Sequence, residues 1–398
     1  MPFSSENRLR GVDEGLKPKR IKQVLALFWS ASLFSFSNFF VFHMSSDRYE
    51  WKWNFASWNE STDELSSCAL LFFGLPRSFQ SLSLPSIRKN VLFPNARYHC
   101  DVFVHWYNVS EEASGRLNEG GRIHPSDIFL LEAASREAFA STIDGQLGVP
   151  PMISFVSDTE EQFWSKRGKF VQKYRNTTDE SGRPLYFPWK NGTYYDFPRS
   201  LDNIVRQWHS LEAVWGAMRH GRKKYGRVGM FRSDAFYLSP IDIYQLEKGK
   251  VDTNNHFALI PPFAKFPVSD RMFYGPYDPV RIWATKRFEK IDEHVRTNPT
   301  VGMGMHSETF LNTTLLPFIE KETGVRVAEN PDVCFLRTRP NNVIIMNDCE
   351  LKGKGVTRGM ERIDVRRAVE EMTGLSCQLF KMERQYKGLR CRKTIAYN

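Results

Sequence analysis

Charged residues interrupt a hydrophobic run at residues 227–240, which reads RVGMFRSDAFYLSP. Arg232 and Asp234 follow an apolar segment typical of a buried strand, and burying unpaired charges is costly. At the carboxyl end of a strand the pair is reasonable, because open α/β sheets bind their ligands there. An aspartate there can hold a divalent cation on a diphosphate, and an arginine can pair with phosphate. A strand-end ion pair without a ligand is the alternative interpretation.

A second cluster, GLPRS at residues 74–78, lies where a strand passes into a helix. Backbone N–H groups and the helix dipole favour an anion there, and Arg77 adds a fixed positive charge next to Ser78. An ordinary turn with a surface arginine explains the same residues. His105 and Trp106 end the neighbouring strand at the same rim, where Trp106 would either stack a nucleobase or pack in the core.

Two later clusters supply acid–base candidates. Asp270 lies in SDRMFYG at residues 269–275, where it would bind sugar hydroxyls, act as a base, or only pair with Arg271. The segment GMGMHSE at residues 302–308 opens a helix. Glu308 in the first turn favours the helix dipole whatever its function, whereas His306 would complete a metal site or act as a base. A dinucleotide fingerprint is disfavoured because the third glycine is missing.

Alternating strands and helices must position these clusters. Continuous apolar runs predict buried strands, and a strand, a helix and a strand within about 40 residues form a parallel βαβ unit. The strands are predicted at 68–74, 100–106, 152–156, 227–232, 256–260 and 269–275, with a hairpin at 333–347. The helices are predicted at 78–90, 126–141, 158–174, 201–219, 279–295 and 310–323. This alternation predicts an α/β fold with a mostly parallel sheet flanked by helices.

The chain before this domain resembles a membrane anchor. Residues 24–44 are 21 residues without a formal charge, about the length that crosses a bilayer as a helix. Residues 1–23 carry an excess of Lys and Arg, which predicts a cytosolic tail and a lumenal remainder. A cleaved signal peptide is the alternative. The predicted organisation is a tail (1–23), an anchor (24–44), a stem (45–66), a catalytic domain (67–350) and a C-terminal extension (351–398).

Cysteines and glycosylation sequons agree with a lumenal body. All six cysteines follow the anchor, as expected where disulfides persist. Six cysteines allow fifteen pairings, and local spacing favours Cys68–Cys100, Cys334–Cys349 and Cys377–Cys391. Buried free thiols remain the alternative. The Asn-x-Ser/Thr sequons are at Asn59, Asn108, Asn176, Asn191 and Asn312.

The formal net charge of +10 favours anionic substrates, such as nucleotide sugars or acidic glycans. A nucleic acid partner is not expected, given the anchor and the lack of a known binding module.

These motifs resemble those of GT-A-type glycosyltransferases. The shared features are a strand with Gly-x-x-Arg, a strand ending in Arg-x-Asp before a Pro-Ile turn, an Asp-Arg-Met-x-Tyr-Gly strand and a His-x-Glu helix start. Residues 68–349 also look like an uncharacterised eukaryotic family of such proteins, found in algae and similar protists. The resemblance implies a GT-A-like fold and a single-pass type II enzyme of the Golgi or ER membrane.

The resemblance also implies roles for the clusters. It places Asp234, with His306, on a Mn²⁺ or Mg²⁺ ion, and it places the donor nucleotide sugar near Arg77, Ser78, Arg232 and Trp106. Asp270, His306 and Glu308 would serve catalysis on the acceptor side. Arg232 departs from the family of DxD enzymes, which have a carboxylate there, so metal dependence stays open. The sugar, the glycan or protein acceptor, the stereochemistry and the oligomeric state stay open as well.

Two other functions remain. Residues 74–78 are similar to the phosphosulfate loop of Golgi sulfotransferases, with Arg232 and Ser239 in place of their 3′-phosphate pair. Phe79 and Gln80 depart from that loop, because a small Gly-Thr pair must let the backbone approach the phosphate. A non-catalytic lumenal binding protein that kept the fold is the third hypothesis.

Overall fold

The computed structural model describes residues 67–393, apart from 116, 141–149, 189–196, 222, 246–255, 298–303, 352–354, 359–360 and 384–385. The predicted tail, anchor and stem lie outside the described residues, as do the sequons at Asn59 and Asn191. No helix in the described part combines the length and the apolar character that a membrane crossing requires.

The strands are numbered along the chain. They are β1 (Cys68–Gly74), β2 (Asp101–Tyr107), β3 (Glu111–Glu112), β4 (Gly121–Arg122), β5 (Ile153–Asp158), β6 (Arg227–Arg232), β7 (Ala235–Tyr237), β8 (Phe257–Ile260), β9 (Phe273–Pro276), β10 (Arg326–Glu329), β11 (Phe335–Arg339), β12 (Val343–Ile345), β13 (Glu350–Leu351), β14 (Gly355–Arg358), β15 (Glu361–Arg362), β16 (Leu375–Lys381) and β17 (Lys387–Lys393).

The helices are numbered in the same way. They are α1 (Leu84–Ile87), α2 (Leu130–Ala140), α3 (Glu160–Asn176), α4 (Arg199–His220), α5 (Tyr277–Thr285), α6 (Arg287–Thr297), α7 (Ser307–Phe310), α8 (Leu316–Thr323) and α9 (Val365–Thr373). Wider helical turns extend α1 on both sides to Phe79 and Leu92, and another, Leu311–Leu315, joins α7 to α8.

A mixed α/β arrangement with a mostly parallel sheet is confirmed. The large sheet has the strand order β10-β8-β9-β6-β1-β2-β5. Strands β6, β1, β2 and β5 are parallel, and β9 is antiparallel to both β6 and β8. The carboxyl ends of β1, β2 and β6 therefore meet at one edge, together with the amino end of β9.

Side chains of β1 alternate between two cores, as the period of a strand requires. Leu70 and Phe72 face the first core, which also contains Phe79 of the helical segment and Phe335 of β11. Leu71 and Phe73 face the second core, which α4 covers with residues such as Trp208. Helix α4 packs against β1 and β2 on the face of the second core. A site at the carboxyl ends of these strands is therefore bounded by α4 on one side and by the elements of the first core on the other.

A second sheet lies on the first core. Its strand order is β16-β17-β12-β11-β7, and β11 pairs with β7 directly after the β6 strand end. The three predicted disulfides are confirmed as Cys68–Cys100, Cys334–Cys349 and Cys377–Cys391. The first joins the starts of β1 and β2, and the other two brace the second sheet.

Two predictions of secondary structure were wrong in detail, and several elements were not predicted. The helix expected at 279–295 is divided into α5 and α6, and Arg287 Nε donates to the Trp283 carbonyl oxygen at 3.0 Å across the break. The strand expected at 269–275 begins only at Phe273, since Asp270 and Arg271 lie in an irregular segment. Strand β10, helix α9 and the hairpin β16–β17 were not predicted.

Gly275 gives a test of the close contact between β9 and β8. A Cβ atom at Gly275 would lie 2.7 Å from the Ala258 Cα atom, and its φ is +155°. We expect Gly275→Ala to lower the free energy of unfolding by about 1–3 kcal/mol, because the neighbouring backbone must move. Gly216→Ala is the control, because nothing lies within 4 Å in α4 and alanine favours a helix by about 1 kcal/mol. Equal urea midpoints for the two variants would contradict this packing.

Candidate active site

A cleft of about 350 Å³ opens at the edge where β1, β2 and β6 end. Phe73, Gly74 and Tyr107 form part of its floor, and Arg232 lies at the end of β6. The cleft brings together Arg77, Arg232, Asp270, His306 and Glu308, which the sequence analysis drew from four separate segments. Residues from these four segments therefore share one cleft.

The two walls of the cleft have different chemistry. The wall on the side of the first core carries Arg337 and Arg339 from β11, beside Arg77. The opposite wall consists of the first turns of α4 and the start of α7. We call these the arginine wall and the helical wall. Asp270 and Arg271, which precede β9, also line the cleft.

Asp234 holds three arginines behind the cleft. It is fully buried, and Arg232 donates from Nε and Nη2 to its two carboxylate oxygens at 2.8 Å each. Arg77 donates to Oδ2, and Arg339 Nη1 lies 3.8 Å from the same oxygen. Burial alone would raise the pKa of Asp234, but Arg232 and Arg77 outweigh burial and lower the pKa to about 2. Asp234 is therefore a charged anchor for guanidinium groups.

Asp348 is a second buried carboxylate, and it pairs with two further arginines. Arg337 donates to it from the backbone N, from Nε and from Nη2 at 2.8–2.9 Å. Arg271 Nη1 lies 2.7 Å from Asp348 Oδ1. Although burial opposes ionisation, Arg271 and Arg337 hold the pKa of Asp348 far below its usual range. Glu112 on the rim accepts hydrogen bonds from the Nε and Nη2 atoms of Arg77.

Arg339 is the least compensated of these cations. It donates to the Thr338 carbonyl oxygen, and its nearest carboxylate in the described structure is the one 3.8 Å away. Burial, together with Arg337 and Arg77, lowers the pKa of Arg339 to about 9. A partly buried guanidinium beside two others favours an anion. Sequence reasoning missed Arg337 and Arg339, although their spacing of two residues on a strand places both on one face.

Asp270, His306 and Glu308 form an acid–base group on the helical wall. His306 Nδ1 accepts a hydrogen bond from the Thr309 backbone N at 3.3 Å, so its proton is assigned to Nε2, which lies 3.6 Å from Glu308 Oε2. Burial lowers the pKa of His306 to about 4. Burial and the charge of Asp270 raise the pKa of Glu308 to about 8. Near neutral pH the imidazole is therefore neutral and the Glu308 carboxyl is poised to exchange a proton.

A buried polar network supports the floor of the cleft. The Gly74 backbone N donates to Ser210 Oγ at 3.1 Å, and Ser210 Oγ lies 2.7 Å from His105 Nδ1. His105 Nε2 and His209 Nε2 lie 3.2 and 2.6 Å from Asp158 Oδ2. The network fixes Gly74, whose φ of +105° is one that other residues rarely adopt.

Within the described residues, His105, Asp158 and His209 form the single group with metal-ligand spacing. The hydrogen bonds argue against a metal ion there. Arg167 Nε donates to His209 Nδ1 at 3.0 Å, so His209 carries its proton on Nε2, the atom that would have to bind the metal. Lys166 also occupies the second oxygen of Asp158.

The predicted metal ligands do not fit a metal ion as they are arranged. Both oxygens of Asp234 accept hydrogen bonds from arginine, and Asp234 does not line the cleft. A cation at Asp234 would have to displace at least one guanidinium group. His306 lines the cleft with Asp270 and Glu308. The role of His306 as a metal ligand and the catalytic roles of all three residues stay predictions.

Three of the predicted nucleotide-binding groups lie in other surroundings. Trp106 is buried against Phe129 and Phe155 and does not line the cleft. The Ser78 hydroxyl donates to the Arg339 carbonyl oxygen at 2.8 Å and accepts from the Asn342 backbone N at 2.9 Å. Ser239 is buried and bonded to the Cys334 backbone. The Arg232–Ser239 pair expected of a sulfotransferase is therefore not assembled in the cleft.

The described sequon asparagines, Asn108, Asn176 and Asn312, are exposed, as attachment of a glycan requires. Glycosylation itself stays a prediction.

Comparison with known proteins adds little. No protein-family model and no curated protein matches the chain. Among solved structures, the apo form of mouse xyloside xylosyltransferase 1 is similar at 12% sequence identity, over 66% of this chain and 84% of that chain, with a TM-score of 0.28. An overlay with so low a TM-score carries no argument about function, which has to come from the cleft itself.

The anchoring role of Asp234 predicts a loss of stability. Asp234→Asn leaves three guanidinium groups close together without their buried counter-charge, so we expect the free energy of unfolding to fall by about 3–5 kcal/mol. Asp278→Asn removes an exposed partner of Arg281 and should change it by less than about 0.5 kcal/mol. Chemical denaturation of both variants measures the difference. Unchanged stability in Asp234→Asn would show that the carboxylate does not hold the arginines.

Proposed function

We propose that the chain is a glycosyltransferase of GT-A-like fold that moves a sugar from a nucleotide-diphosphate sugar to an acceptor hydroxyl. The observation that carries the proposal is the pairing of an arginine wall with a buried acid–base group across one cleft at the ends of parallel strands. Such strand ends are the usual ligand position in open α/β sheets. A phosphate-bearing donor fits the first wall, and a hydroxyl that loses a proton fits the second.

The arginine wall suits a departing diphosphate. Asp234 holds three guanidinium groups close together, those of Arg77, Arg232 and Arg339. Asp348 holds the guanidinium group of Arg337. Guanidinium groups held in advance stabilise charge that develops on a leaving group without reorganising during the reaction. Both carboxylate oxygens of Asp234 already accept hydrogen bonds from arginine. These arginine side chains, rather than a metal ion, would therefore neutralise the charge of the departing diphosphate.

Glu308 is the proposed general base. The His306 Nε2 atom lies 3.6 Å from the Glu308 Oε2 atom, and burial together with the charge of Asp270 keeps the pKa of Glu308 high. In the reaction, the acceptor hydroxyl loses its proton to the Glu308 carboxylate as its oxygen bonds to the sugar carbon. The bond from that carbon to the diphosphate oxygen breaks, and the diphosphate leaves with the electron pair.

We also propose a secretory-pathway setting, in the Golgi or the ER, with residues 24–44 as the anchor. The three disulfides support an oxidising compartment. The membrane topology rests on the sequence pattern alone.

Arg339→Gln tests the donor site. We expect affinity for UDP or GDP to fall at least tenfold, because a charge-assisted contact to phosphate is worth about 1.5–3 kcal/mol. Folding should not suffer, since the variant removes a partly buried and poorly compensated charge. Calorimetric titration with each nucleotide, with and without Mn²⁺, measures the effect.

Arg136→Gln is the matched control, because Arg136 is exposed on α2 and pairs with Glu132. Binding of phosphoadenosine phosphosulfate in place of UDP and GDP would support the sulfotransferase. If neither class of nucleotide binds the wild-type chain, the proposed function is wrong and a binding protein remains.

The raised pKa of Glu308 predicts how the rate depends on pH. A base must be deprotonated, so the transfer rate should rise about tenfold per pH unit below 8 and level off above it. Glu308→Gln should remove this rise together with most of the activity, while nucleotide affinity stays unchanged. A wild-type rate that is flat between pH 6 and 8.5 would exclude Glu308 as the base.

A further inference from the structure

The helical wall carries hydroxyl and amide groups beside two arginines, Arg199 and Arg206. Its uncharged polar side chains include Ser200, Asn203, Gln207 and Ser307, whereas Ser210 is already bonded to the Gly74 backbone N and to His105. The spacing of the first three residues puts them on one face of α4, because residues three and four apart are neighbours on a helix. Ser307 begins α7, directly between His306 and Glu308.

Two of these hydroxyls lack a partner. Ser307 is only 5% exposed, and its Oγ has no hydrogen-bond partner among the described residues. The Ser200 Oγ is also buried without a partner within the described part of the chain. Such groups are uncommon in folded proteins, because the lost hydrogen bond to water is not replaced. Two of them on one wall of one cleft point to a ligand that supplies the missing hydrogen bonds.

The position of Ser307 indicates which ligand this is. A general base has to lie within hydrogen-bond reach of the proton that it removes. Ser307 and Glu308 both line the cleft, so a molecule bonded to the Ser307 hydroxyl lies in the same cleft as the base. In the proposed reaction that molecule is the acceptor, while the arginine wall lies on the other side of the cleft.

The charges of this wall disfavour an acidic acceptor. Arg206 pairs with Glu160, and Arg199 donates to the Ser114 carbonyl oxygen. Both arginines therefore have partners already. Asp270 lines the same region, and a carboxylate or sulfate on the acceptor would be repelled by it. Serine, asparagine and glutamine instead offer donors and acceptors that match the hydroxyls of a neutral sugar.

We propose that Ser200, Asn203, Gln207 and Ser307 form the acceptor subsite and that it takes an uncharged sugar. The inference rests on the proposed function for the identity of the acceptor. The sugar can bind without a nucleotide-sugar donor, so the acceptor subsite and the proposed transferase function can be tested, and can fail, separately.

Saturation-transfer NMR on the full-length chain tests the subsite. The probes are neutral methyl glycosides of hexoses and pentoses, with the methyl uronides as their acidic counterparts. We expect the neutral glycosides to bind more tightly than the uronides. Ser307→Ala and Ser200→Ala should each weaken neutral binding about threefold to tenfold, the worth of one hydrogen bond. Affinity for UDP or GDP should not change in either variant.

Ser135→Ala is the control, because Ser135 in α2 is also fully buried without a partner for its Oγ in the described chain, yet lies outside the cleft lining. All three variants should keep or raise the melting temperature, since each removes an unsatisfied hydroxyl. Tighter binding of uronides, or neutral binding that Ser307→Ala does not weaken, would overturn the subsite. If a nucleotide binds and no sugar does, the subsite is wrong and the donor site stands. Ser307-dependent sugar binding without nucleotide binding keeps the subsite and rejects the transferase.

Discussion

Two buried carboxylates determine the arrangement of the cleft. Asp234 and Asp348 are charged far from water, and each is stable there only because arginine side chains surround it. The arginines are in turn restricted to one edge of the sheet, since they must reach these carboxylates. Mutual repulsion would otherwise separate so many guanidinium groups. The cleft is thus lined by guanidinium groups because the buried carboxylates behind it hold them there.

The balance between cations and carboxylates also distinguishes the arginine wall from the helical wall. On the arginine wall, carboxylates are ionised below their usual pKa because cations outnumber them. On the helical wall, Glu308 lies near Asp270 with less compensation, and burial keeps its carboxyl protonated to higher pH. The carboxyl groups behind the arginine wall and the Glu308 carboxyl group in the cleft therefore have pKa values moved in opposite directions, which suits acid–base chemistry beside a charged leaving group.

Much of this architecture is local enough to be predicted from the sequence. The strand at residues 68–74 is apolar at nearly every position, so its burial on both faces and its parallel partners follow from composition. The disulfides follow from short separations along the chain. The clusters at Arg77, Arg232, Asp270 and Glu308 are each next to a strand end or a helix start, and such positions gather at one edge.

The arginine wall could not be predicted in the same way. Arg337 and Arg339 lie in a hairpin whose place depends on the pairing of Phe335 with Tyr237, almost a hundred residues earlier. Nothing local indicates that contact. For the same reason Asp234 was expected to bind a metal ion, because its three arginine partners come from the turn after β1, from β6 and from β11, and only the fold brings them together. For Trp106 the sequence left stacking on a nucleobase and packing in the core as alternatives, because it does not show which side of the strand end faces the core.

The second sheet has a consequence for the order of events during synthesis. Strand β11 carries Arg337 and Arg339 of the arginine wall, and its sheet is completed outward by β12 and then β17. A ribosome releases the amino-terminal strands before the carboxyl-terminal ones. While β16 and β17 are still inside the exit tunnel, the nascent sheet lacks the outer strands that brace β11. Competence to hold an anion should therefore arise only once this hairpin has left the tunnel and paired with β12.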